Sequence, residues 1–252
     1  MSSEIVWAVN GPVMELRLNR PDKKNAITSA MYAALAEALV AAAEDPAVRV
    51  VTIGGNGDTF TSGNDLKDFQ QVPPLDLDQP VFRFLNALST FPKVLIAGIG
   101  GAAVGIGTTL LLHCDLVVAA PDAIFSLPFV DLALVPEAGS SLLLPMLVGR
   151  QLAAKHLILG DPFNAQTALG YGIVTEIVEP DQLDRQVARL ARRIAAKPPE
   201  AVRLTKRLIA GDTAAVQARI AEEGALFAKR LQSAEAAEAF SAFFEKRPPN
   251  FD

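Results

Sequence analysis

Cysteine and histidine are scarce in this 252-residue chain: Cys114, His113 and His156 are the whole supply. One thiol excludes an intramolecular disulfide framework, and so few soft ligands leave no basis for a His/Cys metal cluster. Basic residues are outnumbered, 23 Lys and Arg against 28 Asp and Glu for a net charge of −5, so no general positive field draws nucleic acid or an anionic membrane surface. Residues 1–10 contain Glu4 and lack a sustained apolar stretch followed by a cleavage site, so export is not expected and a reducing cytoplasmic setting is. Half the residues are apolar and a fifth are charged, a balance that excludes disorder and supports a packed core. At about 150 residues per domain, the length suits one large domain with an appendage.

Residues 94–112 form a run of 19 without a charge, the length of a membrane-spanning helix. Gly98, Gly100, Gly101, Gly105 and Gly107 interrupt it, and Val94-Leu95-Ile96-Ala97 is a compact β-type segment. A buried strand, a glycine turn and a buried helix over residues 105–113 describe it better than a span, so no membrane partner is expected.

Residues 4–9 and 13–18 read as strands joined by Asn10-Gly11, a dipeptide that closes hairpins. Thr28 is placed to cap a helix reaching Glu44, with Met31, Leu35, Leu39 and Ala42 on one face. A buried strand over 48–53 leads into a glycine-rich loop over 54–65. Pro73-Pro74 and scattered aspartates before Pro80 suggest mobile surface, and 82–89 reads as helix. Strands over 94–99, 115–120 and 124–126 continue the alternation. The order strand, turn, helix recurs without a repeated sequence, which makes the fold class α/β. From Asp181 onward β signals vanish, and helices are expected over 183–196, 201–209 and 214–244, with breaks at Pro198-Pro199 and Gly211. The chain thus divides into a core over 1–197 and a helical segment over 198–252 that covers the site or mediates association; helices that only cover the core would look the same.

Two glycine-rich turns carry the first hint of chemistry. Gly55-Asn56-Gly57-Asp58-Thr59-Phe60-Thr61-Ser62-Gly63-Asn64-Asp65-Leu66 follows a buried strand, where glycines let backbone approach a ligand and leave N–H groups free. A plain surface turn is the alternative. Gly100-Gly101-Ala102-Ala103-Val104-Gly105-Ile106-Gly107 again sits between strand and helix. Neither spells G-x-G-x-x-G and the first lacks the lysine of a phosphate-cradling loop, so NAD and ATP are not indicated. Together they can aim two backbone donors at one space. Ser140 and Ser141 lack the G-x-S-x-G setting of a nucleophile.

Leu18-Asn19-Arg20-Pro21 with Asn25-Ala26, Phe60-x-Ser62-Gly63-x-Asp65-Leu66, the glycine turn ending in Cys114-Asp115, the segment from Phe125 to Pro128 and the closing Phe244-Glu245-Lys246-Arg247-x-Pro249-x-Phe251 stand in a telling order. That order and spacing resemble the enoyl-CoA hydratase/isomerase (crotonase) superfamily from about residue 4 to the end. The resemblance implies a crotonase-like spiral of repeated ββα units with a C-terminal helical segment. It also implies an acyl-CoA thioester substrate, no cofactor beyond the CoA the substrate carries, and a homotrimer or hexamer.

In that family two backbone N–H groups hold the thioester carbonyl as it becomes an enolate; by position these belong to Asn64 and Ile106. Ile106 stands where a glycine is usual; the N–H survives that change, while the branched side chain restricts the backbone. Lys24, Ala26, Ser62, Gly63, Asp65, Leu66, Phe129 and Lys246 fall at substrate-binding positions, with Lys23 or Lys24 and Lys246 or Arg247 in places where basic residues of relatives meet CoA phosphates. Family hydratases use two glutamates, and here those places hold Thr109 and Phe129. Pro136-Glu137-Ala138-Gly139-Ser140-Ser141 resembles instead the peroxisomal-type 3,2-enoyl-CoA isomerase branch, whose catalytic glutamate corresponds to Glu137.

One carboxylate beside a dry acyl chain can take a proton from C2 of a 3-enoyl thioester and return it at C4. The apolar neighbours Leu132, Leu134, Val135 and Phe129 would raise its pKa toward neutrality. The structural alternative for Glu137 is an acid favoured by the dipole of a helix over 139–147, and Asp131 is the rival carboxylate. His113 reads as a packed or capping residue. Phe227, Phe240, Phe243 and Phe244 read as an apolar helix face, core or subunit contact before acyl tunnel. Hydration or other acyl-CoA chemistry at Glu137, and a catalytically silent acyl-CoA binder, stay open.

Overall fold

The structure is a computed structural model that describes residues 4–71 and 79–251, apart from the side chains of 69–71. The surface expectation at Pro73-Pro74 lies outside the described residues. The hairpin forms as the turn dipeptide requires, β1 (Ile5–Asn10) pairing antiparallel with β2 (Val13–Leu18). Thr28 Oγ1 accepts from Met31 N at 3.2 Å and so starts α1 (Ser29–Glu44); such a cap contributes about 1 kcal/mol. There follow β3 (Val50–Gly55), the short α2 (Leu66–Gln71), α3 (Pro80–Ser89), β4 (Val94–Ile99), β5 (Ala102–Val104) and α4 (Ile106–Thr109).

Residues 110–113 do not continue α4 as the sequence suggests; they wind into a tighter 3-10 turn. That turn releases the chain in time for Asp115 N to donate to Leu95 O at 2.9 Å and for β6 (Leu116–Ala119) to pair with β4. Next come β7 (Ile124–Ser126), α5 (Ser140–Val148), α6 (Arg150–Ile158), β8 (Phe163–Asn164), α7 (Ala165–Gly170) and β9 (Glu176–Ile177). The tail is α8 (Leu183–Ala195), α9 (Pro199–Ala210), α10 (Thr213–Leu231) and α11 (Ala234–Glu245). The single helix expected over 214–244 is two, because Ser233 Oγ accepts from Ala236 N and starts a new one.

Pairing explains the spiral. The large sheet runs β1-β2-β3-β4-β6-β9 and the small one β5-β7-β8. β4 and then β5, β6 and then β7 place one strand in each sheet before the chain turns away, which is the ββα repeat anticipated from the resemblance. Parallel strands must be covered on both faces, and alternation does this. Val50, Val94, Ile96 and Val118 face Val187, Leu190 and Ala191 of α8. Val51, Leu95, Ala97 and Val117 face the main core with Met14, Leu16, Leu35 and Phe84. α10 packs on α3 and α5, and α11 on the 3-10 turn Val130–Leu132. Among the described residues, no helix is long and apolar enough to cross a membrane; residues 94–112 are divided among β4, β5, α4 and the turn after it.

The crossing from β4 to β5 depends on Gly101. Its φ is +60°, and a Cβ there would lie 2.0 Å from Asp58 O. Gly101→Ala is therefore expected to destabilise the fold by about 3 kcal/mol or more, measured as a fall in the denaturant midpoint. An unchanged midpoint would show that the two loops need not pack this closely.

Candidate active site

Backbone hydrogen bonds lace the two glycine loops together. Phe60 N donates to Gly100 O at 2.9 Å, Thr61 N to Ala102 O at 3.0 Å, and Val104 N to Thr61 O at 3.0 Å, which sets Thr61 opposite Ala103 in parallel register. Asn64 and Ile106 each lie three residues past that bridged pair, so both chains carry them the same way. The close approach needs Gly63, at φ +89°, where a Cβ would meet Val104 O at 2.9 Å.

On its other side Asn64 is bridged to Ile27: Ile27 N donates to Gly63 O at 2.8 Å and Asp65 N to Ile27 O at 2.9 Å. In that register the flanking groups make the bonds, and the N–H of Asn64 points away from Ile27. The Asn64 side chain is pinned as well, its Oδ1 accepting from the Tyr32 hydroxyl at 2.5 Å. Ile106 opens α4, where a first-turn amide has no partner within the helix. Gly105 N donates to Ser126 O, and Gly105 O accepts from the amides of Thr108 and Thr109, so the Ile106 N–H stays outside these bonds. The branched Ile106 side chain, the departure from a usual glycine, is buried in the main core.

Glu137 precedes α5 on a turn whose next two residues, Ala138 and Gly139, both have positive φ, 59° and 72°. Glu137 is 9% exposed, and its Oε1 accepts from Thr109 Oγ1 at 2.5 Å. The residue in the place of a hydratase glutamate is therefore the hydrogen-bond donor to the Glu137 carboxyl. Burial pushes the pKa of Glu137 up to about 8; the Thr109 bond opposes this and the charge of Glu223 adds to it. Burial also raises the Tyr32 phenol, which feels the charge of Glu137.

Asn64 and Glu137 line one cleft. Its other walls are Val81, Phe82 and Leu85 of α3, Ala138, and Ile220, Gly224 and Phe227 of α10. Phe227, expected first as core or contact, is a wall here, whereas Phe240 is buried and Phe243 and Phe244 are exposed. Ile106 is not in that lining but shares its turn with Thr109. Asp131 is exposed and outside the cleft lining. His113 is packed, with Nε2 2.7 Å from Ala138 O, and burial lowers its pKa.

The remaining residues named from the sequence fall into two groups. Around the first loop, Ser62 N donates to Lys24 O at 2.9 Å, and Arg20 Nη1 donates to Ala26 O at 3.0 Å and to Asp65 Oδ2 at 2.7 Å. Asp65 Oδ1 accepts from the amides of Lys67 and Asp68, so this carboxylate holds the loop and the start of α2. Leu66 is half-buried against the core. Lys24 and Lys246 are exposed; Lys246 closes α11, and the Phe244 ring two residues earlier lies 5.9 Å from Lys67 Nζ, which brings that end toward α2. Phe129 is buried apart from the cleft lining.

Sequence reasoning missed Tyr32 and Glu223. Glu223 on α10 accepts from Gly139 N at 2.6 Å and Ser141 N at 2.9 Å. The helix-end role considered for Glu137 thus belongs to Glu223. A signal existed: Val216, Ile220, Glu223, Gly224 and Phe227 share one helical face, and one carboxylate inside an apolar stripe marks a special site.

Comparison with known proteins agrees with this architecture. The profile of the enoyl-CoA hydratase/isomerase family matches residues 8–252. The 2,3-dehydroadipyl-CoA hydratase of Escherichia coli K12 is 34% identical over 253 residues, covering 99% of this chain and 98% of that protein. Human enoyl-CoA delta isomerase 2 is 36% identical over 204 residues, 78% of this chain and 52% of that one. The crystal structure of an enoyl-CoA hydratase/isomerase from Pseudoalteromonas atlantica T6c superposes with a TM-score of 0.96 at 42% identity, covering 99% of this chain and 100% of that one. With Asn64 and the buried Glu137 lining one apolar cleft, and with these relatives along its length, the chain belongs to the crotonase superfamily of acyl-CoA enzymes.

Proposed function

We propose that this enzyme is a 3,2-enoyl-CoA isomerase. The N–H groups of Asn64 and Ile106 hold the thioester oxygen, and Glu137, ionised, takes a proton from C2. The C–H electron pair moves into the C1–C2 bond, and the oxygen carries the negative charge of a dienolate. Glu137, now the neutral acid, gives the proton to C4, the double bond settles between C2 and C3, and the carboxylate is restored. One proton moves and no water enters, so no cofactor is called for beyond the CoA on the substrate. The reading also assigns Lys24, Ala26, Ser62, Gly63, Asp65, Leu66, Phe129 and Lys246 to substrate binding, directly or by shaping the loops. Within it the protein is a trimer or hexamer of the cytoplasm.

The observation that carries this reading is a single buried carboxyl sharing an apolar cleft with Asn64, while Thr109 and Phe129 occupy the places of the hydratase glutamates. With one carboxyl, nothing both positions and deprotonates a water. Wild-type protein offered 3-enoyl-CoA and 2-enoyl-CoA is expected to migrate the double bond of the first and to hydrate the second far more slowly. Faster hydration would reverse the assignment, and binding without turnover of either would make the protein a silent acyl-CoA binder. Because the base must be ionised, kcat/KM for the 3-enoyl substrate is expected to rise with pH and level off above about 8; a profile already flat between pH 5 and 9 would show that Glu137 lacks the raised pKa its burial implies.

A further inference from the structure

The turn that presents Glu137 cannot hold its shape by local preference alone. Ala138 is a non-glycine residue at φ 59°, fully buried, followed at once by Gly139 at φ 72°, and such a residue persists only where its surroundings over-determine it. One group of the turn itself and two from outside do so. Ser140 Oγ donates to Glu137 O at 2.6 Å. His113 Nε2 bonds Ala138 O at 2.7 Å. Glu223, 84 residues further along, takes Gly139 N and Ser141 N on its two carboxylate oxygens.

We propose that Glu223 is a positioning residue for the reaction: its carboxylate, delivered from α10, holds the turn that aims Glu137 and supplies the negative charge beside it. This rests on the isomerase reading and adds the device that keeps the proton shuttle in place. Glu223 is 4% exposed, and the two amides at the start of α5 offset part of the cost of burying its charge. Arg219, one turn earlier on α10, reinforces the arrangement by donating to Ser141 Oγ at 3.1 Å, while it pairs outward with Glu222. The titratable groups facing Glu137 are Glu223 from α10 and Tyr32 from α1, with His113 behind the Ala138 carbonyl. Of these, Glu223 is the acid whose charge bears on Glu137; burial raises the Tyr32 phenol, lowers His113 and also raises Glu223, against which the amides of Gly139 and Ser141 and the charge of Arg219 work. A negative neighbour keeps a carboxyl protonated to higher pH, so Glu223 ties two properties of Glu137 together, its aim and its proton affinity. α10 also supplies three cleft walls, so the helix that encloses the acyl chain is the helix that locks the base.

The test compares Glu223→Gln and Glu223→Asp with wild type in two readouts. The first is the titration midpoint of the Glu137 carboxyl in the free protein, followed by carbon-13 NMR of labelled glutamate with Glu137→Gln identifying the signal. The second is steady-state kinetics on a 3-enoyl-CoA. Glu223→Gln removes the charge and is expected to lower the Glu137 midpoint by about half a pH unit or more, with kcat down about 10-fold and KM within about 3-fold. Glu223→Asp keeps the charge but is too short for both amides; it is expected to leave the midpoint near wild type while kcat still falls. A residue that merely stabilises the fold would lower the melting temperature of both variants and move neither the midpoint nor kcat, and that result overturns the proposal. Should Glu223→Gln not fold, undiminished kcat in Glu223→Asp overturns it. Should wild type lack isomerase activity, the isomerase reading fails while the Glu137 midpoint still reports on Glu223.

Discussion

Glu137→Gln is expected to lower kcat for the 3-enoyl-CoA reaction by about 10²–10⁴-fold, the usual contribution of a positioned acid–base group, with KM changed little. Glutamine matches the side chain in size, and its carbonyl oxygen still accepts from Thr109, which holds Glu137 at 2.5 Å. The variant therefore loses proton transfer and little else. Backbone donors remain in place, and since one such donor is worth about 2.7–4 kcal/mol of transition-state stabilisation where its removal has been measured, residual turnover above the solution rate is expected. Exchange of the C2 protons with deuterated solvent supplies a second measurement. Wild type should exchange them through the enolate, and the variant should fall by a similar factor. If turnover and exchange both survive, another group is the base, and the description of this cleft around a single carboxyl fails.

The proposed residues came into view unevenly, for physical reasons. Local chemistry is written locally: Thr28 caps α1 as its type and position suggest, and alternation of apolar residues in β3 and β4 sorts them onto two faces. The 3-10 turn after α4 was not legible, because Leu110 to Leu112 are apolar in either winding and the choice is made by the hydrogen bond that Asp115 makes to β4. Strands β8 and β9 are two residues each, shorter than any periodicity. Glu137 and Asn64 were reached through spacing that resembles a family, since no local pattern joins residues 73 positions apart. The cleft walls on α3 and α10 exist only once those helices pack. Glu223 adjoins Glu222, and local sequence treats the two acids alike, although Glu222 is exposed in an ion pair and Glu223 is buried on a pair of amides. Helical phase alone distinguishes them.

The same substitution is expected to change stability in a pH-dependent way, in the direction opposite to its effect on activity. Glu137 has a folded-state pKa of about 8 against an ordinary value of 4.5, so between those limits the folded protein binds a proton that the unfolded chain has lost. Stability then falls as pH rises through that window. Each unit of separation is 1.36 kcal/mol, so the loss specific to Glu137 approaches about 5 kcal/mol above pH 8. Glutamine cannot ionise and escapes it. Its buried amide N–H₂ is left short of acceptors, a cost of about 1–3 kcal/mol that does not vary with pH. Denaturant unfolding of wild type and Glu137→Gln should therefore give similar free energies near pH 5, or slightly favour wild type. The difference should swing toward the variant as pH rises, by about 4 kcal/mol in all. The slope carries the information, because packing changes shift the whole curve without tilting it. Parallel curves from pH 5 to 9 would mean that Glu137 titrates near its ordinary value, and a base ionised at all working pH would need a wetter cleft than one walled by Phe82, Leu85, Ile220 and Phe227.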